Sequence, residues 1–156
     1  MLFRSNLSAG IKALGNYAKN IIHFERDILP REVNAMIYFL SAVGSSLIRL
    51  EIESRLMNYI DASELIISIS DHCPNLEVLN INFFIFTPQA FEKLTKSCKS
   101  LENLSICNSM AVNDTILSII QNNCENLNTL DVFSCSQVSE NAVEQLRSET
   151  EIDISF

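Results

Sequence analysis

Short segments in which hydrophobic and polar residues alternate recur along the chain. Three of them, over residues 73–81, 98–106 and 124–132, share the form C-x-x-L-x-x-L-x-(I/V). Their first leucines, Leu76, Leu101 and Leu127, are 25 and 26 residues apart. Alternation with a period of two predicts a β-strand, because successive side chains of a strand point to opposite faces.

Weaker copies extend the pattern in both directions. Residues 47–52 fit the same frame, with Gly44 in the position that cysteine takes in the later copies. Residues 151–154 resemble the end of the third segment, and residues 22–24 lie one repeat length before residues 50–52. The pattern therefore predicts about six strands.

Apolar residues between these strands recur at helical spacing, three or four positions apart. We predict helices over residues 31–43, 62–72, 88–97, 114–123 and 141–147. Thr87 before Pro88 is a typical helix start, and Asp61 with Glu64 has the spacing of a capping box. One strand and one helix every 25–29 residues predict a solenoid with a parallel sheet.

This repeat resembles the leucine-rich repeat family, and in particular its cysteine-containing subtype. Residues 135–143 are similar to the C-x-x-I-T-D-x-x-L segment of that subtype, whereas Ser109, Phe84 and Arg55 replace its cysteine in earlier repeats. The resemblance covers about residues 18–156. It implies an α/β fold, namely a right-handed solenoid with a curved parallel sheet on the concave face and helices on the convex face.

A single domain over residues 1–156 is the expected organisation. Its clear repeats span about 44–148, a degenerate first unit spans about 5–43, and a partial last strand spans 149–156. Hydrophobic residues make up 47% of the chain and charged residues 19%, which excludes an intrinsically disordered protein. The sequence contains no uncharged apolar stretch of the length that spans a membrane.

The formal net charge of −8 argues against binding to nucleic acid. The charged residues are unevenly distributed along the chain. Residues 100–156 carry nine acidic side chains and a single basic one, Arg147. The charged side chains of residues 1–24 are all basic, namely Arg4, Lys12 and Lys19. That start is compatible with a mitochondrial presequence. We predict instead that it forms the first helix and strand of the fold.

Five cysteines invite metal or redox interpretations. No paired C-x-x-C unit is present, so we expect no metal site and no cofactor. Cys73, Cys98 and Cys124 follow successive predicted helices and are expected to be reduced packing residues. We expect Cys107 and Cys135 to be more exposed. A catalytic role is not expected for any of them, and the chain is predicted not to be an enzyme.

Residues 29–33, L-P-R-E-V, resemble the opening of an F-box. The rest of an F-box does not follow, since Gly44 begins the next repeat and the chain has no Trp. Proline is common at helix starts. No F-box is therefore predicted.

The sheet face that points away from the helices is the predicted binding surface, because solenoids bind partners with that face. Its acidic side chains favour a basic partner protein, and Phe133 is an exposed aromatic of the kind that anchors interfaces. A merely solvated surface is the alternative. The predicted contact residues are Arg49, Glu51, Glu53, Asn80, Asn82, Asn103, Ser105, Asp131, Phe133 and Asp153.

The expected function is that of a non-enzymatic protein–protein interaction module. The resemblance implies a substrate-binding adaptor or regulator related to the F-box leucine-rich repeat proteins of ubiquitin ligases, in the cytoplasm or nucleus. The alternative is a mitochondrial assembly or coupling factor that resembles factor B of ATP synthase. The expected partner is another protein rather than nucleic acid or a membrane. The edge of the last strand also predicts possible self-association.

Overall fold

A six-stranded parallel sheet forms the centre of the computed structural model, which describes residues 7–17, 20–54 and 60–156. Six strands pair in the order β1-β2-β4-β6-β7-β8, and β3 pairs with β5 in a separate sheet. All pairs are parallel. The strands are β1 His23–Asp27, β2 Arg49–Glu53, β3 Ile60–Asp61, β4 Val78–Asn82, β5 Phe84–Ile85, β6 Asn103–Ser105, β7 Thr129–Asp131 and β8 Asp153–Ser155.

Helices connect the strands and pack against one another in chain order. A 3-10 turn, Pro30–Glu32, precedes the second helix, so the helix predicted over residues 31–43 starts later than expected. The α/β solenoid with a parallel sheet is confirmed. The helices are α1 Leu7–Tyr17, α2 Val33–Val43, α3 Ser63–His72, α4 Pro88–Ser97, α5 Asp114–Asn123 and α6 Glu140–Glu149.

The core lies between the sheet and the helices. One apolar residue, the second of each main strand, points toward the helices, and these residues are register partners across the sheet. All six are buried, which explains the leucine periodicity of the sequence. The row consists of Phe24, Leu50, Leu79, Leu104, Leu130 and Ile154.

A side-chain cap starts α4 where the sequence predicts it. The Thr87 hydroxyl accepts a hydrogen bond from the Ala90 N–H at 3.3 Å, which confirms the predicted cap of α4. The capping box predicted from Asp61 is wrong. Helix α3 begins after Ala62, and the Asp61 carboxylate accepts a hydrogen bond from the Ser63 N–H, the first residue of the helix, at 2.9 Å.

Gly44 occupies the cysteine position of its repeat because no side chain fits there. A Cβ atom on Gly44 would lie 2.7 Å from the His72 carbonyl oxygen and 2.8 Å from the Cys73 sulfur. We expect Gly44→Ala to lower the free energy of unfolding by about 1–3 kcal/mol, since overpacking forces backbone to move. Urea denaturation measures the loss. The control is Gly10→Ala in α1, where a Cβ would meet no atom within 4 Å; a similar loss there would contradict the steric explanation.

Among the residues that the structure describes, three that are not glycine have left-handed backbone conformations. Phe83, Asn108 and Ser134 have φ angles of 67°, 55° and 59°, and each follows the strand region of its own repeat. The N–H of Phe83 donates to the Cys107 carbonyl, and the N–H of Asn108 donates to the Phe133 carbonyl, both at 3.0 Å. The same turn therefore leaves the sheet in three successive repeats.

The first unit joins the fold through its helix and its strand. Helix α1 packs against α2, and Ile11 is buried. The Tyr38 hydroxyl also donates a hydrogen bond to the Asn16 side chain at 2.8 Å. Arg4 and Lys19 of the basic start lie outside the described residues. Among the helices that the structure describes, none combines the length and hydrophobicity required to cross a bilayer.

Candidate protein-binding face

The sheet face opposite the helices, here called the open face, carries the ten predicted contact residues. Nine of them alternate along the strands with the buried row of the core, and Phe133 lies two residues beyond the end of β7. Register partners Glu51 and Asn80, Asn80 and Ser105, and Ser105 and Asp131 form one row across it. A second row, called the end row, lies where the strands end: Glu53, Asn82, Cys107 and Phe133.

Both carboxylate oxygens of Glu51 contact neighbouring side chains on the open face. Its Oε1 atom lies 2.7 Å from Arg49 Nε and 3.3 Å from His23 Nε2, and its Oε2 accepts a hydrogen bond from Asn80 at 2.8 Å. These contacts join β1, β2 and β4. Glu51 therefore stabilises the face and offers a partner less charge than its sequence position suggests.

Asn82 lies on the predicted face but is only 9% exposed. Its amide donates to Glu53 at 3.2 Å, and its Oδ1 accepts from the Ser105 hydroxyl at 2.9 Å and from the Cys107 N–H at 2.8 Å. These bonds use the polar atoms of the side chain. Asn82 therefore holds three strand regions together instead of presenting a free group.

An acidic groove of about 420 Å³ lies over β1 and β2. Glu25, Asp27, Glu51 and Glu53 line it together with Arg26. Within the described part of the chain, neither Glu25 nor Glu53 is paired with a cation. Unpaired carboxylates at a groove attract positively charged side chains.

Arg26 is a groove residue that sequence reasoning missed. It is the register partner of buried Ile52, a position that faces the helices. Its guanidinium Nη2 lies 3.5 Å from Oε1 of buried Glu32, whose Oε2 accepts a hydrogen bond from the Leu29 N–H at 2.9 Å. A charged residue at a core-facing strand position was the signal in the sequence.

One cluster on the open face has the spacing that a cation requires. The ligand atoms of His23, Glu25 and Glu51 lie within 4.8 Å of one another. Glu51, however, already contacts the Arg49 guanidinium, so a metal ion would have to displace an existing ion pair. The arrangement does not support assigning a metal site here.

Phe133 is the large apolar side chain of the end row and is 59% exposed. Its N–H donates a hydrogen bond to the Asp131 carboxylate at 3.1 Å. The left-handed residue Ser134 follows it directly. These two features fix the backbone on both sides of Phe133, so the ring is presented at a defined place on the face.

The five cysteines are all buried and free of disulfides. Cys107 and Cys135 were expected to be more exposed, and this expectation is wrong, since they are 6% and 2% exposed. The Cys98 thiol donates to the Cys73 carbonyl at 3.4 Å, and the Cys135 thiol donates to the Ile106 carbonyl at 3.2 Å. The thiols thus link successive repeats.

Burial raises the pKa of these thiols and makes them poor nucleophiles. The pKa of Cys73, Cys98 and Cys107 rises to about 12, and that of Cys124 rises to about 11. We expect Ellman's reagent to react with the native protein much more slowly than with the unfolded chain. Fast reaction of one thiol under native conditions would contradict this prediction.

The same shifts predict how stability depends on pH. A thiol whose pKa is higher in the folded state stabilises the fold fully below its unfolded pKa, near 9.0. That contribution is lost as pH rises from about 9 toward 12. Urea denaturation across this range should show a falling free energy of unfolding, and Cys98→Ser should reduce the slope.

Comparisons with known proteins agree with this architecture, although no protein-family model matches the chain. The chain is 28% identical over 137 residues to F-box/LRR-repeat protein 4 of Bos taurus. This match includes 70% of the chain but only 22% of the relative.

Two solved structures are also similar. The tropomodulin C-terminal domain of Caenorhabditis elegans has a TM-score of 0.64 and 15% identity, over 91% of this chain and 90% of that domain. A chain of the yeast Rad7 and Elc1 complex has a TM-score of 0.38 and 17% identity, over 85% of this chain and 48% of its own length. The fold is a leucine-rich repeat solenoid.

Proposed function

We propose that this chain is a non-enzymatic protein–protein interaction module that binds its partner on the open face. The observation that carries this proposal is the open face itself. The helices pack on the other side of the sheet, and the open face combines two carboxylates that have no cation partner among the described residues, Glu25 and Glu53, with the exposed ring of Phe133. Charged side chains together with an exposed apolar anchor are typical of specific interfaces.

The proposed role is a substrate-binding adaptor or regulator related to the F-box leucine-rich repeat proteins of ubiquitin ligases. Its support is the sequence similarity to a protein named F-box/LRR-repeat protein 4. The cysteine-containing subtype is part of this proposal. Cys73, Cys98 and Cys124 support it, because each is buried directly after the helix of its repeat.

Absence of enzymatic activity is also part of the proposal. The buried thiols with raised pKa values support it, because a nucleophilic cysteine needs a lowered pKa and access to substrate. The proposed location is the cytoplasm or nucleus.

Affinity purification with mass spectrometry tests the proposal directly. The acids support a partner with a basic surface, so we expect Glu25→Lys combined with Glu53→Lys to abolish capture of the specific partners. Glu51 is left unchanged because its reversal would place Lys beside Arg49. The control is Glu125→Lys combined with Glu64→Lys, which makes the same charge change at two exposed acids outside the open face. Equal capture by both variants and the unaltered protein would contradict binding at this face.

A mitochondrial assembly or coupling factor is the second candidate, and the basic, acid-free residues 1–24 favour it. The packing of α1 on α2 weighs against a cleaved presequence. Cell fractionation and N-terminal sequencing of a chain tagged at its C-terminus separate the two. Recovery of an intact start outside mitochondria is expected, whereas a shortened mitochondrial form would support the second candidate.

Self-association through β8 is the other partner arrangement that the sequence predicts. The backbone groups of Asp153 and Ser155 form hydrogen bonds with the chain on the β7 side. The carbonyl of Ile154, which lies between them, therefore points away from β7. Arg147 Nη2 donates a hydrogen bond to that carbonyl at 2.9 Å and blunts the strand edge. We therefore expect a monomer in light scattering, and a concentration-dependent dimer would support association through this edge.

A further inference from the structure

We infer that the open face binds an extended segment of a partner protein, laid across the strands, with two anchors about five residues apart. One anchor is a basic side chain in the acidic groove at Glu25 and Glu53. The other is an apolar side chain against Phe133. This inference rests on the proposed function and specifies the shape and chemistry of the partner.

The end row sets the direction of the bound segment. Glu53 pairs with Asn82 across β2 and β4, and the Asn82 side chain accepts a hydrogen bond from the Cys107 N–H. Phe133 continues the row, since its carbonyl accepts from the N–H of Asn108, the neighbour of Cys107. The row therefore runs across four repeats, from an acid to an aromatic ring.

Only the two ends of this row offer side chains for recognition. The middle members, Asn82 and Cys107, are buried; Asn82 Oδ1 accepts a hydrogen bond from the Cys107 N–H, and the Cys107 thiol donates to the Asp131 carbonyl. Glu53 is half-buried and Phe133 is largely exposed. A partner segment therefore gains its specific contacts at the ends and passes over the middle.

Strand spacing gives the distance between the anchors. The groove lies over β1 and β2, and two strands, β4 and β6, separate β2 from β7. At about 4.8 Å per strand the anchors are about 17 Å apart. An extended chain advances about 3.3 Å per residue, so about five residues bridge them. A helical segment of the same length would fall far short.

Charge identifies the occupant as a basic segment and excludes a second copy of this chain as a good fit. The groove contains four carboxylates, and the whole chain has a net charge of −8. Two acidic surfaces repel each other, whereas a basic side chain gains from carboxylates that lack a cation partner. Association should therefore weaken as salt increases.

Fluorescence polarisation with labelled synthetic peptides tests the spacing. Each peptide carries one Arg and one Phe in a Ser/Thr background, and the Arg–Phe separation is half, equal to or twice the inferred one of about five residues, in both chain directions. We expect the matched peptide to bind about tenfold more tightly than an Arg peptide without Phe, which corresponds to about 1.4 kcal/mol. At half the separation the Phe cannot reach its anchor, and the gain should vanish.

Matched variants assign each anchor. Phe133→Ala should remove the gain from the peptide Phe, while Phe156→Ala, at another exposed ring, should leave it. Glu25→Gln with Glu53→Gln should weaken every peptide and flatten the salt dependence, while Glu125→Gln should change neither. Equal affinity at all separations, an unchanged gain in Phe133→Ala, or no binding of any peptide would overturn the inference.

The partner capture described above distinguishes the two possible failures. If the peptides fail but Glu25→Lys with Glu53→Lys still abolishes capture of the cellular partners, the interaction module stands and the two-anchor segment is wrong. If capture is also unaffected, the proposed function itself fails.

Discussion

Leu104→Ala is expected to lower the free energy of unfolding by about 2–5 kcal/mol, as large-to-small changes in a core do. Leu104 lies in β6, inside the sheet, and is only 2% exposed. Its register partners on the two sides, Leu79 and Leu130, are apolar and buried, so the cavity would offer water no polar partner. Urea denaturation followed by circular dichroism measures the loss.

The adjacent residue provides the control. Asn103 lies on the open face, and its side chain accepts a hydrogen bond from the Thr129 hydroxyl at 2.7 Å in an exposed environment. Removing such a bond should cost less than about 1.5 kcal/mol. Equal losses for Asn103→Ala and Leu104→Ala would mean that the two strand faces are assigned incorrectly.

Phe39→Ala is expected to cost about 3–5 kcal/mol, the range for buried aromatic residues. Phe39 is 0% exposed in α2, and its ring centroid lies 4.4 Å from that of Phe24 in β1. This pair connects the first strand to the helical layer. A large loss, measured by calorimetry as a single transition at lower temperature, would show that the first unit unfolds together with the rest.

Asn34→Ala is the matched control, since Asn34 is an exposed residue of the same helix. It should leave the transition nearly unchanged. If Phe39→Ala instead melted like the unaltered protein, the first unit would be an appendage. In a solenoid each unit is stabilised mainly by its neighbours, so that result would also predict tolerance to its deletion.

Two helices, α4 and α5, could be predicted from the sequence at both ends. The bounds of α4 and α5 agree with the prediction because Thr87 and Asn113 supply side-chain caps immediately before them. Helix α6 extends further than predicted at both ends. Its flanking residues are polar and therefore carry no periodic apolar signal.

The remaining details depend on contacts between distant residues. Strands β3 and β5 have two residues each, too few to show an alternation. The burial of Asn82 requires Glu53, Ser105 and Cys107 to converge on it from neighbouring repeats. The sequence predicts the correct face for Asn82. Only the register across the strands shows that its side-chain amide is hydrogen-bonded within the protein.

In two of the three left-handed turns, the residue with the positive φ angle is one that disfavours this conformation. Asparagine tolerates this conformation, and Asn108 has it, whereas Phe83 and Ser134 adopt the same backbone at a cost of about 1 kcal/mol or more each. Neighbouring packing and the carbonyl bonds of the turn must therefore enforce it. Asparagine in place of Phe83 or Ser134, as at position 108, would consequently relieve this strain. The fold could therefore be stabilised at fixed intervals along the solenoid without altering the open face.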